Sequence, residues 1–241
     1  MFLRRGILLP IEVENTTPDT HSKIQEQWYR IGGIAALVLG IGYIVIIPLY
    51  AHVGAPPSGG QAWFKYLQGK TSFWWAILGL SVFTDFLYVP VALALYLALK
   101  QVNRNVMLLA TGFVGLFIVL DLAVTWSHYA SILTLYRNYA ISTNDVQRAG
   151  YVAAANYAAA MLTSRLEIVY AIVTLSTGIL LTGFVMLKGV FNKVTACLGL
   201  ATGFLGIVSL TGLGLAIIGN ALFATVWLLF VGYKLCRLTR E

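Results

Sequence analysis

Asp85 lies inside "SVFTDFLYVP", residues 81–90, within a stretch that otherwise reads as soluble in lipid. A carboxylate in hydrocarbon is tolerated only when it faces a protein interior or a cavity, and it then marks a functional-site hypothesis. Ser81, Asp85 and Tyr88 share one helical face at i, i+4, i+7, and Asp121, Thr125 and His128 share one face of the next apolar stretch. At a rise of ~1.5 Å per residue both aspartates fall ~22 Å from the expected inner boundary, on adjacent antiparallel spans. A third stripe runs through Ser164, Glu167, Ala171, Thr174, Gly178 and Thr182, with Glu167 at the top of a face of small residues. Arg165 points ~200° away from that stripe. It is expected to pair across to a neighbour or to reach for the interface.

Two carboxyls in a low-dielectric site cannot both ionise cheaply. They share a proton, bind a cation or draw in a cationic partner such as Arg165. In an enzyme one would act as acid and the other as base. Pro90 removes a backbone donor, frees the Phe86 carbonyl beside Asp85 and is expected to kink the span. The expected site is a polar cavity opening outward, shared by Asp85, Asp121, His128 and Glu167, with Tyr88 and Thr125 beside it. The competing reading makes these groups interhelical hydrogen bonds, worth ~0.6 kcal/mol each on average.

The elements that must carry these residues follow from composition. Of 241 residues 59% are hydrophobic and 10% charged, against roughly 25% charged in a soluble domain. Apolar blocks about 20 residues long match the thickness of a bilayer crossed by a helix. Backbone groups in lipid must be satisfied internally, so an all-α integral membrane bundle is expected. Six spans fit: about Trp28 to Leu49, Phe73 to Leu99, a third from Val106, a fourth ending at Leu187, and two from Val194 to Leu235 divided around "TGLGLAIIGN". Residues 1–26 read as a cytoplasmic tail and 27–241 as the transmembrane domain. Asn15 heads an "NTT" sequon in that tail.

Of the sixteen Lys and Arg, most (Lys23, Arg30, Lys100, Arg104, Lys188, Lys193 and Lys234 among them) fall on the side holding both termini, whereas Lys65, Lys70, Arg137 and Arg148 fall on the other. That bias places both termini in the cytoplasm and the protein in the cell membrane. Trp63, Trp74, Trp75 and Trp126 then collect at the outer interface as an aromatic belt. The basic residues form no patch, which excludes nucleic acid as a partner.

Helical pattern continues past the third span through "SHYASILTLYRNYA" and resumes in "DVQRAGYVAAANYAAAMLTSRLE", with "STND" supplying helix-start chemistry between them. The third and fourth helices are therefore expected to project beyond the outer face. Tyr129, Tyr136, Tyr139, Tyr151 and Tyr157 on this hairpin offer a partner surface or sit at headgroup level. "LATGFVG" at Leu109 recurs as "LATGFLG" at Leu200, each after a Leu-Lys pair that ends the preceding span. This reads as a parallel duplication of a helical hairpin. Gly199 and Gly203 form a GxxxG, and the Thr174, Gly178, Thr182 face is small as well, so both are expected to pack closely, within the chain, between copies or against other subunits.

At "VALALYLALKQVNRNVMLLATGFVG", residues 91–115, and from the second span onward, the chain resembles, in apolar pattern and inner-loop placement, a family of uncharacterised multi-pass membrane proteins of bacteria and archaea, a domain of unknown function. The resemblance implies a compact helical membrane domain and no activity.

HExxH, CxxC, the GxSxG elbow and the P-loop pattern are absent from the sequence. All lysines lie at span ends or beyond, which argues against a Schiff-base pigment. His128 and His52 do not make a bis-histidine haem site. Asp85, Asp121 and His128 have the right ligand types for a metal but only a weak spacing signal, so no metal and no cofactor are expected. Cys197 and Cys236 make no disulfide framework. The expectation is a non-catalytic multi-pass membrane protein, either a subunit or scaffold of a membrane complex or a small binding or transport module. The alternative is an intramembrane enzyme using paired carboxylates.

Overall fold

The structure, a computed structural model, describes residues 18–239, with side chains from residue 23. Most of the expected tail and Asn15 fall outside them, and helix α1 already begins at Pro18. The described residues are almost all helical, with no strand among them. In chain order the helices are α1 (Pro18–Val53), α2 (Gly60–Tyr66), α3 (Thr71–Leu120), α4 (Ser127–Ile141), α5 (Asp145–Leu162), α6 (Arg165–Ile168), α7 (Thr174–Met186), α8 (Lys193–Val208) and α9 (Gly214–Leu238). Wider π turns replace regular helix at Asp121–Trp126 and Val169–Val173. Five helical stretches are long and apolar enough to cross a membrane: Lys23–Val53, Thr71–Ile141, Arg165–Met186, Lys193–Thr211 and Gly214–Leu238.

The second of these is no straight rod. Asp85 and Trp126 would stand ~60 Å apart along an unbroken helix, yet their side chains are hydrogen-bonded. Tyr88 likewise meets the ring of Phe117 edge-on at 5.6 Å. The chain reverses at Asn103, whose φ of −156° and ψ of 94° are non-helical. Its Oδ1 then accepts from Val106 N at 3.1 Å, capping the returning helix. Pro90, where a kink was expected, leaves the backbone φ/ψ helical.

The helices close into a ring in sequence order. α1 meets the first half of α3 where Gly32 lies against Pro90 and Ala94, and the returning half meets α7 where Gly178 lies against Ala110 and Val114. α7 packs on α8 through Gly183 and Gly203, α8 on α9 through Gly199 and Gly206, and α9 returns to α1 at Gly33 and Gly40. The division between α8 and α9 falls at Gly212, in the left-handed region at φ 79°. Gly219, included in the expected turn, lies inside α9. The small-residue faces of α7 and α8 are thus occupied within the chain.

The two copies of the LATGF motif differ in surroundings. A Cβ on Gly203 would sit 2.5 Å from Leu180 Cβ and 2.7 Å from Ser176 O, whereas one on Gly112 would meet nothing within 4 Å. Gly203→Ala should therefore destabilise the bundle by about 1–3 kcal/mol through overpacking. Gly112→Ala should leave it unchanged or slightly more stable, because alanine is the better helix former. Thermal unfolding in detergent distinguishes the two.

The hairpin expected to project differs from expectation in one of its two helices. The third helix does continue, through α4 to Ile141, and Asn144 caps α5 by accepting from Val146 N at 2.9 Å and Gln147 N at 3.3 Å. The fourth does not, because helix breaks at Thr163–Ser164 and restarts at Arg165 with Ser164 as its cap. α5 is a separate element that folds over α2 and α4. Their contact builds a second core around Trp63, Leu67, Trp74, Ile132 and Leu133, at the end of the bundle away from Asn103. Three of the four tryptophans expected at the interface are buried here or beside it, and only Trp75 is exposed.

Candidate functional site

The acids lie at the seam between the two cores. Asp85 stands between Ile77 of the outer cluster and Tyr88 of the central one, and Asp121 between Ile118 and Ile132. Asp85 is 3% exposed and Asp121 4%. The pair is therefore covered by the aromatic layer and does not line an open cavity.

What joins the two carboxyls is Trp126. Its Nε1 donates to Asp85 Oδ2 at 2.8 Å and to Asp121 Oδ2 at 3.0 Å. Five residues along a regular helix place a side chain ~140° from its start, so Trp126 should point away from Asp121. The π turn over Asp121–Trp126 changes that, because i→i+5 bonding stacks residue i over residue i+5. One N–H thus serves two acceptors. Asp121 Oδ1 and Thr125 Oγ1 remain buried without a hydrogen-bond partner. Thr125 lies beside the Asp121 carboxyl without reaching bonding geometry.

The second π turn, Val169–Val173, packs against the first. The Thr174 hydroxyl donates to the carbonyls it loosens, Val169 O at 3.2 Å and Tyr170 O at 2.8 Å. Just before it, half-buried Glu167 comes close enough to Asp121 for their charges to interact. Its backbone N–H donates to Ser164 Oγ at 3.3 Å. Tyr43, Tyr50, Tyr88 and Tyr129 complete the electrostatic surroundings of the acids. Tyr43 and Tyr88 join their hydroxyls at 2.8 Å.

Of the residues singled out in the sequence, Asp85, Asp121, Tyr88 and Thr125 come together, and Glu167 lies at the edge. His128 turns away: its Nδ1 is 2.6 Å from Val124 O and its ring faces Tyr157 of α5. Arg165 is exposed, and among the described residues no ion pair ties it to the three acids. Among the described residues no group of three or more His, Cys, Asp or Glu is arranged to hold a metal ion. Sequence reasoning missed Trp126 and Tyr43. Trp126 had the signal of an interfacial aromatic, and its contact with the acids depends on a π turn that helical periodicity does not contain.

Among the described residues the arrangement is an acid pair with one shared neutral donor, an orphaned carboxyl oxygen and no neutralising cation. Such a pair holds a proton between its members more readily than two negative charges. No family model, curated protein or solved structure matches the chain. The resemblance seen from the second span onward therefore carries no family assignment.

Proposed function

We propose that the chain is an integral membrane protein crossing the bilayer six times, a binding or transport module in which the Asp85–Asp121 pair takes up and releases one proton. The observation that carries this reading is the convergence of both buried carboxyls on Trp126 Nε1, with no cation beside them among the described residues.

Membrane insertion is supported by the outward faces of the ring, where large apolar side chains such as Leu108, Val119, Phe184 and Phe204 are exposed. Lipid is the partner these faces fit. Dividing the Thr71–Ile141 stretch at Asn103 turns five apolar helical stretches into six crossings. The Asn103 turn carries Lys100 and Arg104, and the turn before α8 carries Lys188 and Lys193. Sequential up-and-down packing brings these to one end of the bundle, and positive charge assigns that end to the cytoplasm, with both termini. Cysteines placed at the exposed positions Ser58 and Thr143 should react with impermeant reagent from outside. Those at Asn103 and Asn192 should react only from inside, and labelling of Ser58 and Asn103 from one face would reject six crossings.

A proton fits the site better than a solute does. The carboxyls are nearly inaccessible, and the narrow cavity beside Tyr88 measures about 20 Å³, room for one water. The small-residue faces that a partner subunit would use are filled within the chain, which favours a binding or transport module over a scaffold. The test is proton stoichiometry: nanodisc-embedded protein is taken through a pH jump across neutrality with an indicator dye. Wild type should exchange one proton per chain more than Asp85→Asn. Equal exchange by the two proteins rejects the reading.

A further inference from the structure

The acid pair is bounded on the Asn103 side by hydroxyls and a cavity. Tyr88 lies one turn along α3 from Asp85 on the same buried face, and its hydroxyl meets that of Tyr43 from α1. Tyr88 is buried and Tyr43 half-buried, both within electrostatic range of Asp85 and Asp121. Tyr88 also lines the cavity of about 20 Å³, which extends toward Asn103 between Leu95, Thr111, Thr182 and Trp227. Space of that size holds one water when polar partners are present. Thr111 and Thr182 donate their hydroxyl protons to their own helices, at Met107 O and Gly178 O, which leaves their oxygens free to accept. The opposite side of the pair is closed by rings: Trp126 packs on Tyr129 at 5.6 Å, and Tyr129 stacks on Trp74 at 5.0 Å.

We propose that the Tyr43–Tyr88 hydroxyl pair relays the proton between the acid pair and the cavity on the Asn103 side, an inference that rests on proton binding at Asp85–Asp121. The relay is neutral overall. The Asp85 O–H bond breaks as, across one bridging water, a new O–H bond forms on Tyr43; Tyr43 passes its own proton to Tyr88, and Tyr88 passes its own to the cavity water. The carboxylate then remains at the pair, and the excess proton leaves on water. Two hydroxyls in contact can do this because each both donates and accepts. The other titratable groups facing the pair are Glu167 from α6, Tyr50 from α1 and Tyr129 from α4, and Trp126 of the π turn faces it as a neutral donor. None of them lines the cavity.

The experiment is the same pH jump in nanodiscs, read as a rate. Tyr88→Phe and Tyr43→Phe should each slow proton exchange tenfold or more while the number of protons stays at one per chain. Tyr136→Phe, in the outer aromatic layer, should keep the wild-type rate. Each Tyr→Phe removes one hydroxyl and keeps the ring, and thermal unfolding monitors the fold of each variant. Wild-type rates in either folded relay variant, with stoichiometry intact, overturn the relay and leave the acid pair standing. A wild-type protein that exchanges no more protons than Asp85→Asn removes the site itself, and the relay with it.

Discussion

Replacing Asp85 with Asn should abolish the proton exchanged across neutrality and leave the bundle folded. Asn preserves the shape of the side chain and its acceptor for Trp126 Nε1, now 2.8 Å from Asp85 Oδ2. What it deletes is the second carboxyl, and with it the repulsion that makes a shared proton favourable. Its amide can also donate toward Asp121, whose Oδ1 has no partner, so the remaining acid is stabilised as a carboxylate. Asp121→Asn should behave alike. Any dependence of thermal stability on pH across neutrality that arises at the pair should vanish in both variants. If Asp85 only ties helices together, Asn substitutes with little consequence and the dependence survives.

Trp126→Phe is expected to be the most damaging conservative change near the site. Phe keeps a ring against Tyr129, which lies at 5.6 Å from the indole, but removes the one N–H that both carboxyls accept. Stranding buried acceptors of this kind costs about 2–3 kcal/mol, since hydrogen bonds to charged groups lie at the upper end of the range. Trp74→Phe makes the comparison. Its Nε1 donates to the Tyr66 hydroxyl at 3.2 Å, a neutral bond worth about 1 kcal/mol. Denaturation in mild detergent should therefore rank wild type above Trp74→Phe and both above Trp126→Phe. Equal losses in the two variants would mean that Trp126 contributes packing and not a shared donor.

Much of the frame is legible from periodicity. Long apolar helices were expected and are observed, the turn between α8 and α9 contains Gly212 as its left-handed residue, and "STND" does cap α5 through Asn144. Spacing of i, i+4, i+7 puts Ser81, Asp85 and Tyr88 on one face, and all three are buried. The failures share a physical cause: they lie where the backbone leaves the 3.6-residue period. The break at Thr163–Ser164 separates α5 from the apolar helix that follows, and nothing in the hydrophobic pattern announces it. The π turn at Asp121–Trp126 carries His128 away from the acids and swings Trp126 toward them. Depth counted at a constant rise could place the carboxyls at one level, but it could not reveal the donor between them. The near-identical LATGF motifs show the opposite limit. Matching sequence placed Gly203 in a tight helix contact and Gly112 at an open surface, because neighbours decide what a glycine does.

Infrared difference spectroscopy of the nanodisc-embedded protein tests the central claim most directly. A proton held between Asp85 and Asp121 predicts a protonated-carboxyl C=O band at neutral pH, shifted in heavy water and absent from both Asp85→Asn and Asp121→Asn. A spectrum with no such band at neutral pH, or one whose band survives both substitutions, would contradict the shared-proton site.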